Sequence, residues 1–527
     1  MGATFIRLNP ERLNGRIDAT YYRAQFVANE ERLRTCGAHI QQLNNLIHSG
    51  RRAVYFSTST IEREEAPDNW VPFLTSDDFG TEGFGIDLNA RRYVSPEFAD
   101  QYPNGRLRAN ELLVKVKGPN QITAYNSKEP TKRVLVSGTI WGALVRNEQV
   151  DPHYLVTVLS SDYAVLARSR LRTNLNVEFL SPNDLVELEL PIPRNPRAQK
   201  YIGDKVRQAE QLRFIANQSF REAFNVFENE ISLRQILDTK VISRRITGDT
   251  LYDRLDVNFN SPDRFRLIEH LKSKKIHCTP LEEIANISAM IGWKGLTTEH
   301  YTSEGPWLLR GIEFENGTID IAKLVSVSRH KYDEQPQIHF RPDDIALTKD
   351  GTIGKAIVIP ELPNEMAAGS TIARIRLKDR KIIDPYYLEF VLNHSVLQIQ
   401  IKSFSTGMAQ PHITQEWIAR LLIPRIRCEP LIAQCVRQHH TYQCLSKALV
   451  LIAKHLVEGL IEGTITEVEL AKVQNALQAN DQRMDCQILS RIIESQSSIN
   501  ECHFFDLNTY YNAIRFKDDN LSDRDEL

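Results

Sequence analysis

The sequence predicts an α+β fold in which two repeated α/β domains are separated by two long helices that pair as an antiparallel coiled coil. Three observations support this prediction. A long stretch of the first half recurs in the second half, two blocks carry apolar residues at helical spacing, and the rest alternates in short runs rich in Val, Ile, Thr and Tyr. A repeat of this length indicates two whole domains rather than a solenoid.

The repeat relates residues 110–193 to residues 343–426 at one constant offset. Pairs at this offset are Gly118 and Gly351, Asp151 and Asp384, Thr173 and Thr406, and Pro191 and Pro424. Both copies contain a segment DP(H/Y)YL, and both close on a strand that ends in Leu-Pro or Ile-Pro. In each copy the Asp is predicted to cap a helix and the Pro to occupy its first turn. The two halves should therefore superpose about a pseudo-twofold axis.

The 527 residues exceed what one core accommodates, so several domains are expected. The predicted segments are a first domain (1–195), a central long helix (196–240), a second domain (241–428), a distal long helix (429–463) and a helical tail (464–527) whose end is partly disordered.

The first long helix is predicted over residues 198–236, which contain no Pro and a single Gly. Its apolar face consists of Ile202, Val206, Ala209, Leu212, Ala216, Ala223, Phe227 and Ile231. The second helix, over residues 430–462, presents Leu445, Leu449, Ile452, Leu456 and Leu460. Two such stripes pack most simply on each other in antiparallel order and place the two domains at opposite ends. The alternative is that each helix packs only on its own domain.

The tail begins where Gly463 ends the second helix. Thr466 and Glu469 form a capping box for a further amphipathic helix, and the acidic end FKDDNLSDRDEL is expected to fray.

Bulk properties favour a soluble cytoplasmic protein. No run approaches the roughly 18 apolar residues of a membrane span, and seven scattered cysteines indicate reduced thiols. The formal net charge of −2 gives no global basic footprint, so any nucleic-acid contact would be made by a local basic groove.

Catalytic motifs are not supported. The segment GTIGKA has too few residues between its glycines for a phosphate-binding loop, and DPHY and DPYY lack the second Pro of an amino-methyltransferase motif. Cys36 with His39, or His440 with Cys444, lacks the further ligands of a closed zinc site. We therefore expect no catalytic residue and no metal on this chain.

The sequence resembles the specificity subunit of type I restriction–modification systems. The features that carry the resemblance are the doubled glycine loop, the doubled DP(H/Y)YL segment, the doubled closing strand, and a long helix after each half with a Gln near its start (Gln199 and Gln434). The resemblance covers roughly residues 1–463. The first half departs from the pattern: Lys117-Gly118-Pro119-Asn120 stands opposite the glycine loop 350–355, and Arg172-Thr173-Asn174 stands opposite Ser405-Thr406-Gly407.

The resemblance implies a non-catalytic subunit whose two target-recognition domains each read one half of a bipartite double-stranded DNA site. Arginine suits bidentate guanine contacts and Gln or Asn suits adenine, while lysines contact phosphates. The DNA-contacting residues predicted on this basis are Lys115, Lys117, Arg168, Arg170, Arg172, Asn174, Lys349, Lys355, Lys402, Ser405, Thr406, Gln410 and His412.

The implied partners are methyltransferase subunits, two being expected with one per half, and a restriction or translocase subunit. S-adenosylmethionine, ATP and Mg²⁺ would be bound by these partners and not by this chain. The helix ends near Gln199 and Gln434 are predicted to be free for the partners. Two other interpretations stay open: a non-catalytic scaffold or adaptor of a related phage-defence complex, and an enzyme with a nuclease in the tail.

Overall fold

The structure, a computed structural model, describes most of the chain. The described residues are 18–52, 60–79, 84–86, 88, 90–118, 121–173, 178–233, 254–290, 298–315, 317–407, 410–495 and 506–513. They divide into two compact units. Unit 1 comprises the described parts of Met1–Gln211, Ser446–Asn500 and Leu507–Leu527, and unit 2 those of Leu212–Leu445 and Glu501–Asp506. The predicted domain boundaries stay a prediction.

The first half of the chain alternates short helices and strands. Its helices are α1 (Ala24–Thr35), α2 (Leu43–Leu46), α3 (Pro96–Gln101), α4 (Pro152–Leu159), α5 (Asp162–Leu171) and α6 (Pro182–Val186). Its strands are β1 (His39–Gln42), β2 (Arg51–Arg52), β3 (Ile61–Glu62), β4 (Val71–Leu74), β5 (Arg92–Val94), β6 (Glu111–Lys115), β7 (Thr123–Asn126), β8 (Leu135–Val136), β9 (Ile140–Leu144) and β10 (Glu189–Ile192). The first long helix, α7 (Pro196–Ile231), follows.

The second half repeats this succession. Its helices are α8 (Pro262–Ser273), α9 (Leu281–Ile284), α10 (Arg329–Asp333), α11 (Pro385–Asn393), α12 (Ser395–Phe404) and α13 (Gln415–Ala419), and the second long helix is α14 (Glu429–Glu462). Its strands are β11 (His277–Pro280), β12 (Ala285–Ala289), β13 (Tyr301–Leu309), β14 (Phe314–Glu315), β15 (Thr318–Ile319), β16 (Val325–Val327), β17 (Ile345–Thr348), β18 (Ala356–Val358), β19 (Met366–Ala368), β20 (Ile372–Leu377) and β21 (Leu422–Arg425). The tail contributes α15 (Glu467–Gln478) and α16 (Arg483–Ser495).

The internal repeat is realised in the strand topology of the two halves. A four-stranded sheet has the order β2-β9-β6-β7 in the first half and β12-β20-β17-β18 in the second. The two-stranded antiparallel pairs β1–β10 and β11–β21 also correspond. Helices α5 and α12, helices α6 and α13, and strands β10 and β21 begin and end at the same offset that relates Gly118 to Gly351. The predicted α+β fold with two repeated domains is therefore confirmed.

The DP(H/Y)YL segments begin helices α4 and α11 as predicted. The carboxylate of Asp151 accepts hydrogen bonds from the backbone N–H of His153 (2.9 Å) and Tyr154 (3.1 Å). In the second half Asp384 accepts from the N–H of Tyr386 at 2.9 Å. Each Asp therefore satisfies donors that the first helical turn leaves without an intrahelical partner.

A buried tyrosine in each helix fastens it to the closing strand. The hydroxyl of Tyr154 donates to the carbonyl of Pro191 at 2.7 Å, and that of Tyr387 to the carbonyl of Pro424 at 2.6 Å. Both side chains are buried. The identical Tyr and Pro of the repeat therefore have one structural role in both halves.

The apolar stripe predicted on the first long helix is buried. Every residue of it from Ile202 to Ile231 is at most 3% exposed. In unit 2 the ring of Phe227 packs edge-on against Phe390 of α11, with 5.4 Å between centroids, and lies 4.6 Å from the ring of His394. Burying a side chain of this size stabilises the fold by roughly 1.5–3 kcal/mol. The helix thus forms part of the core around α11.

The two long helices also contact each other within each unit. In unit 1 the hydroxyl of Ser446 donates to the carbonyl of Ala209 at 2.8 Å. In unit 2 Nδ1 of His439 is 2.9 Å from the carbonyl oxygen of Ala216. Residue numbers rise along one helix as they fall along the other, so α7 and α14 are antiparallel, as predicted. The apolar residues predicted on α14, from Leu445 to Leu460, are buried.

The two glutamines near the helix starts are not equivalent, contrary to the prediction. Gln199 is buried, accepts the N–H of Asp151 at 2.9 Å and donates to the carbonyl of Pro193 at 2.7 Å. Gln434 is exposed. Gln199 is committed to holding the start of α4, so its side chain is not free for a partner.

The tail starts as the sequence indicates. Gly463, with φ of +76°, follows the last residue of α14 in a conformation that glycine adopts easily. The hydroxyl of Thr466 accepts the N–H of Glu469 at 3.2 Å and caps α15. The acidic end, predicted to be frayed, lies outside the described residues.

Candidate nucleic-acid interface

A turn in the second half carries four of the predicted site residues: Ser405, Thr406, Gln410 and His412. We call residues 405–412 the Thr406 loop; residues 408 and 409 lie outside the described part of the chain. The loop closes on two backbone hydrogen bonds of 2.8 Å, one in each direction between Thr406 and His412. A third bond runs from the N–H of Gly351 to the carbonyl of Pro411 at 3.0 Å. It fixes the loop to the glycine loop at residues 350–355, called the glycine turn from here on, which follows β17. The sheet of unit 2 thus holds the loop in place through this turn.

Ionisable side chains gather where the loop meets the glycine turn. Nδ1 of His412 contacts one carboxylate oxygen of Asp350, and Nζ of Lys349 is 2.5 Å from the other. The His412 side chain is 39% exposed, whereas that of Lys349 is 12% exposed. His412 therefore presents part of its ring to solvent, while Lys349 is held against its neighbour.

Three further predicted residues are exposed at this place. Lys402 lies in the last turn of α12, and Thr406 and Gln410 lie in the loop itself. A lysine ammonium suits a phosphate, and the amide of a glutamine can bond both edge atoms of an adenine. The last turn of α12 and the Thr406 loop therefore expose a cation and two polar side chains close together in the chain.

The backbone N–H groups of the two glycines in the glycine turn are bonded within the protein. The N–H of Gly351 is taken by Pro411, and the N–H of Gly354 donates to the carbonyl of Thr348 at 2.9 Å. Nζ of Lys355 is 4.9 Å from the centroid of the Phe314 ring. The N–H groups of Gly351 and Gly354 are therefore committed to holding the turn.

Ser405 also differs from its prediction. Its side chain is buried, and the hydroxyl donates to the carbonyl of Lys402 at 2.7 Å. The guanidinium of Arg254 donates to the carbonyls of Phe404 (2.8 Å) and Ser405 (3.2 Å) and lies 5.1 Å from the centroid of the Trp417 ring. Ser405 therefore anchors the loop and does not face solvent. Arg254, which sequence reasoning missed, secures the end of α12.

The corresponding turn of the first half is closed by the same backbone hydrogen bonds. We call residues 172–179 the Thr173 loop; residues 174–177, and with them Asn174, lie outside the described residues. Thr173 and Phe179 exchange two backbone bonds of 2.9 Å, and the N–H of Gly118 donates to the carbonyl of Glu178 at 2.9 Å. Each of these bonds has its counterpart in the Thr406 loop at the constant offset of the repeat. The two loops therefore share their closing backbone bonds, while the side chains at some of the bonded positions differ.

The three arginines predicted to contact DNA in the first half are turned into the protein. Arg168 is 0% exposed and donates to the carbonyl of Leu159 at 2.8 Å, and burial lowers its pKa to about 9. Helix α5 continues through Leu171, so Arg168 lies within a helix and not in a loop. Its side chain is on the buried side of that helix. A DNA contact by Arg168 is therefore contradicted.

Arg170 and Arg172 are also engaged within unit 1. Arg170 is 2.8 Å from Glu30 and lies 4.0 Å from the ring centroid of Tyr21. Arg172 donates to the carbonyl of Gly118 at 2.6 Å and to Glu178 at 2.7 Å, and its side chain is 5% exposed. Arg172 thus fixes the start of the Thr173 loop and Arg170 holds α5 against Tyr21 and Glu30, so the prediction that they read bases is not supported.

Two lysines remain from the predicted set in the first half. Lys117 is exposed, and at the constant offset of the repeat it corresponds to Asp350 of the second half. Lys115 is half-buried at the end of β6, and its pKa is lowered, mainly by burial. The first half therefore presents one exposed cation, Lys117, among the predicted residues that the structure describes there.

The described residues offer neither a metal centre nor a membrane-spanning helix. They contain no cluster of three or more His, Cys, Asp or Glu side chains that could hold a metal ion. None of the described helices is both long enough and apolar enough to cross a membrane.

Comparisons with known proteins find similarity among solved structures. The sequence matches no protein-family model, and no curated protein matches it significantly. The structure is similar to that of the S subunit of the type I restriction-modification system from M. genitalium, with 14% identity, a TM-score of 0.43, and coverage of 81% of this chain and 96% of that chain. The HsdS subunit from Thermoanaerobacter tengcongensis has 12% identity, a TM-score of 0.26, and coverage of 81% and 97%. A structure from work on the assembly and conformational transition of a type I R-M system has 12% identity, a TM-score of 0.27, and coverage of 81% and 98%.

Proposed function

We propose that this chain is a non-catalytic, sequence-specific subunit that binds double-stranded DNA at a bipartite target, as the specificity subunit of a type I restriction–modification complex. The observation that carries the proposal is the repeated domain with its repeated loop. The Thr173 and Thr406 loops have the same backbone bonds at corresponding positions of the repeat, yet they differ in side chains. A constant frame with variable side chains is what two independent reading heads require.

The chemistry of the Thr406 loop supports a DNA ligand. Lys402 supplies a charge for a phosphate, while Thr406, Gln410 and the partly exposed ring of His412 supply groups that can bond to base edges. The net charge of −2 leaves little long-range attraction, so partners must contribute to affinity.

The proposed partners are methyltransferase subunits and a restriction or translocase subunit. They would bind S-adenosylmethionine, ATP and Mg²⁺, and this chain would set where they act. A cytoplasmic location follows from that role.

A second candidate is a scaffold or adaptor of a related defence complex whose first half no longer reads bases. The inward orientation of Arg168, Arg170 and Arg172 favours it, because the one exposed cation of the predicted set described there is Lys117. The two candidates differ in the first half alone, so a half-specific test separates them.

The experiment is a selection of random DNA duplexes with the chain in complex with its co-expressed methyltransferase subunits. We expect two short defined half-sites separated by several unspecified base pairs. One enriched half-site with no second would favour the adaptor. No enrichment, or one contiguous motif, would contradict the proposal. Sequencing of methylated bases in the host, before and after deletion of the chain, gives an independent measurement of the same motif.

A further inference from the structure

In the C-terminal segment, residues 464–513, the described parts (464–495 and 506–513) are fastened to the start of the first long helix by a buried charged cluster. Nζ of Lys205 on α7 donates to both carboxylate oxygens of Asp485 on α16, at 2.8 and 3.0 Å. Both side chains are 1% exposed. All of these residues belong to unit 1. The contact joins positions 280 residues apart in the chain.

Three tyrosines complete this cluster. Tyr201 donates to Asp485 at 2.6 Å, and Tyr511 donates to its other oxygen at 2.6 Å. Tyr510 accepts from Lys205 at 2.9 Å and donates to Gln208 at 2.8 Å. Gln474 of α15 adds a bond of 3.0 Å to Asp204. Side chains from each described helical part of the segment thus form hydrogen bonds with one face of α7. Gln474, Asp485 and Tyr510 bond to it directly, and Tyr511 bonds to Asp485.

The buried charge of Lys205 restricts which kind of segment can pack against this face of α7. A buried ammonium without a partner is strongly unfavourable, since removing one member of a buried pair costs about 3–5 kcal/mol. Any segment that covers Lys205 must therefore bring a carboxylate to the position of Asp485. An apolar or basic helix of the same shape would leave the charge uncompensated.

The matching face of the second half is built differently. Arg207 pairs with the capping Asp151 at 2.6 Å, and Arg437 pairs with the capping Asp384 at 2.8 Å. We align the two long helices on these arginines, whose separation in the chain is three residues shorter than the constant offset of the repeat. In that alignment Lys205 corresponds to Cys435, and the buried Tyr201 corresponds to Leu431, which is exposed. The charged cluster is therefore a property of the first half and not of the repeat.

We propose that the face of α7 around Lys205 is a docking site for a helical segment that carries a carboxylate, and that the C-terminal segment of this chain is its reversible occupant. The next step rests on the proposed function. A partner subunit that binds the start of α7 must supply an equivalent carboxylate and displace the segment. The segment would then regulate access of a partner to the first half.

The docking itself can be tested without DNA or partner. A protease site is inserted between Gly463 and Thr464 of the full chain, which is folded and then cleaved, and retention of the released segment is measured by gel filtration. We expect the native segment to stay bound. Asp485→Asn and Lys205→Met should each weaken retention by roughly 100-fold or more, because each leaves a buried group unpaired.

Two further variants keep this experiment decisive. Arg483→Met, which removes an exposed pair with Asp481 on the same segment, should leave retention unchanged. Tyr510→Phe removes a hydroxyl but no charge and should weaken retention moderately, so it serves if Asp485→Asn does not fold. Equal retention of the native, Asp485→Asn and Lys205→Met segments would overturn the proposal, as would immediate loss of the native segment.

Reversible occupancy is tested by adding a labelled peptide of residues 464–513. It should bind to the full-length Asp485→Asn chain, whose own segment is released, and not to the native chain. The same peptide with Asp485→Asn should bind to neither. Equal binding of the native peptide to both chains would contradict a single shared site. Exchange of segments between two copies, seen as dimers, would contradict docking within one chain. Each of these outcomes is independent of whether the chain binds DNA.

Discussion

At the scale of single residues, the repeat preserves side chains that join elements and varies side chains that face solvent. Tyr154 and Tyr387, with their bonds to the carbonyls of Pro191 and Pro424, are preserved. Phe179 and His412, at one position of the two loops, differ. This division matches a frame that is kept while its contacts change.

We expect Tyr387→Phe to lower the free energy of unfolding by about 1–3 kcal/mol, because the buried carbonyl of Pro424 loses its donor. Tyr154→Phe should have a similar effect in the first half. Urea unfolding measures both. Tyr102→Phe is the control, since its hydroxyl has no partner among the described residues. A change below about 0.5 kcal/mol in both variants, which is the size of an ordinary surface substitution, would contradict the role assigned to these tyrosines.

Lys402 and Gln410 should affect DNA binding in different ways. Lys402→Ala removes a phosphate contact, so affinity should fall for all sequences and the slope of log K against log salt should decrease by about one. Gln410→Ala should relax one base position at a cost of about 1–3 kcal/mol. Titrations at several salt concentrations measure both. Lys472→Ala, an exposed lysine on α15, is the matched control. A sequence-dependent loss in Lys402→Ala would refute the assignment.

The sequence indicated local features of these residues better than their orientation. The caps Asp151 and Asp384 follow from local backbone needs, and they were predicted. Arg168 was predicted to be in a basic loop, but α5 continues past it and turns it inward. Whether a charged side chain is buried depends on tertiary neighbours, here the carbonyl of Leu159, which charge patterns do not reveal.

At the scale of elements, the long helices were predictable because their apolar residues recur at helical spacing, and all of those predicted on α7 are buried. The docking of the tail was not predicted. Lys205 and Asp485 are each ordinary polar residues in sequence, and only the fold brings them together. Such pairing over a long separation leaves no periodic signal.

The buried cluster predicts how docking of the tail depends on pH. Burial alone would raise the pKa of Asp485, but the charge of Lys205 and hydrogen bonds from Lys205, Tyr201 and Tyr511 lower it overall. Burial alone would lower the pKa of Lys205, but Tyr510 and Asp485 raise it overall. Burial raises the pKa of Tyr510 to about 12. Asp204, an acid on α7 itself, also acts on Tyr510.

A lowered carboxyl pKa stabilises docking above the unfolded value near 3.9, and that contribution is lost as pH falls through the folded value. A raised ammonium pKa stabilises docking below the unfolded value near 10.4, and that contribution is lost as pH rises through the folded value. Retention of the cleaved segment should therefore be constant between about pH 5 and 9 and fall below about pH 4 and above about pH 10. Loss of retention between pH 6 and 8 would contradict this account.

At the scale of the whole molecule, the sequence revealed the architecture because duplication left a constant offset between corresponding positions. That offset recurs in helices, strands and loop hydrogen bonds. The sequence did not reveal that one half is modified by a docked tail or that its loop arginines are internal. The two halves share a frame and differ in what they present, so each should act on its own part of a ligand.

The most direct measurement of this claim exchanges one half. Residues 243–426 are replaced by the matching region of a homologue, and the chimaera, in complex with the proposed methyltransferase subunits, is used to select random duplexes beside the parent. We predict that one half-site changes while the other half-site and the number of unspecified base pairs between them stay the same. Simultaneous change of both half-sites, or an unchanged specificity, would contradict two independent reading heads on one frame.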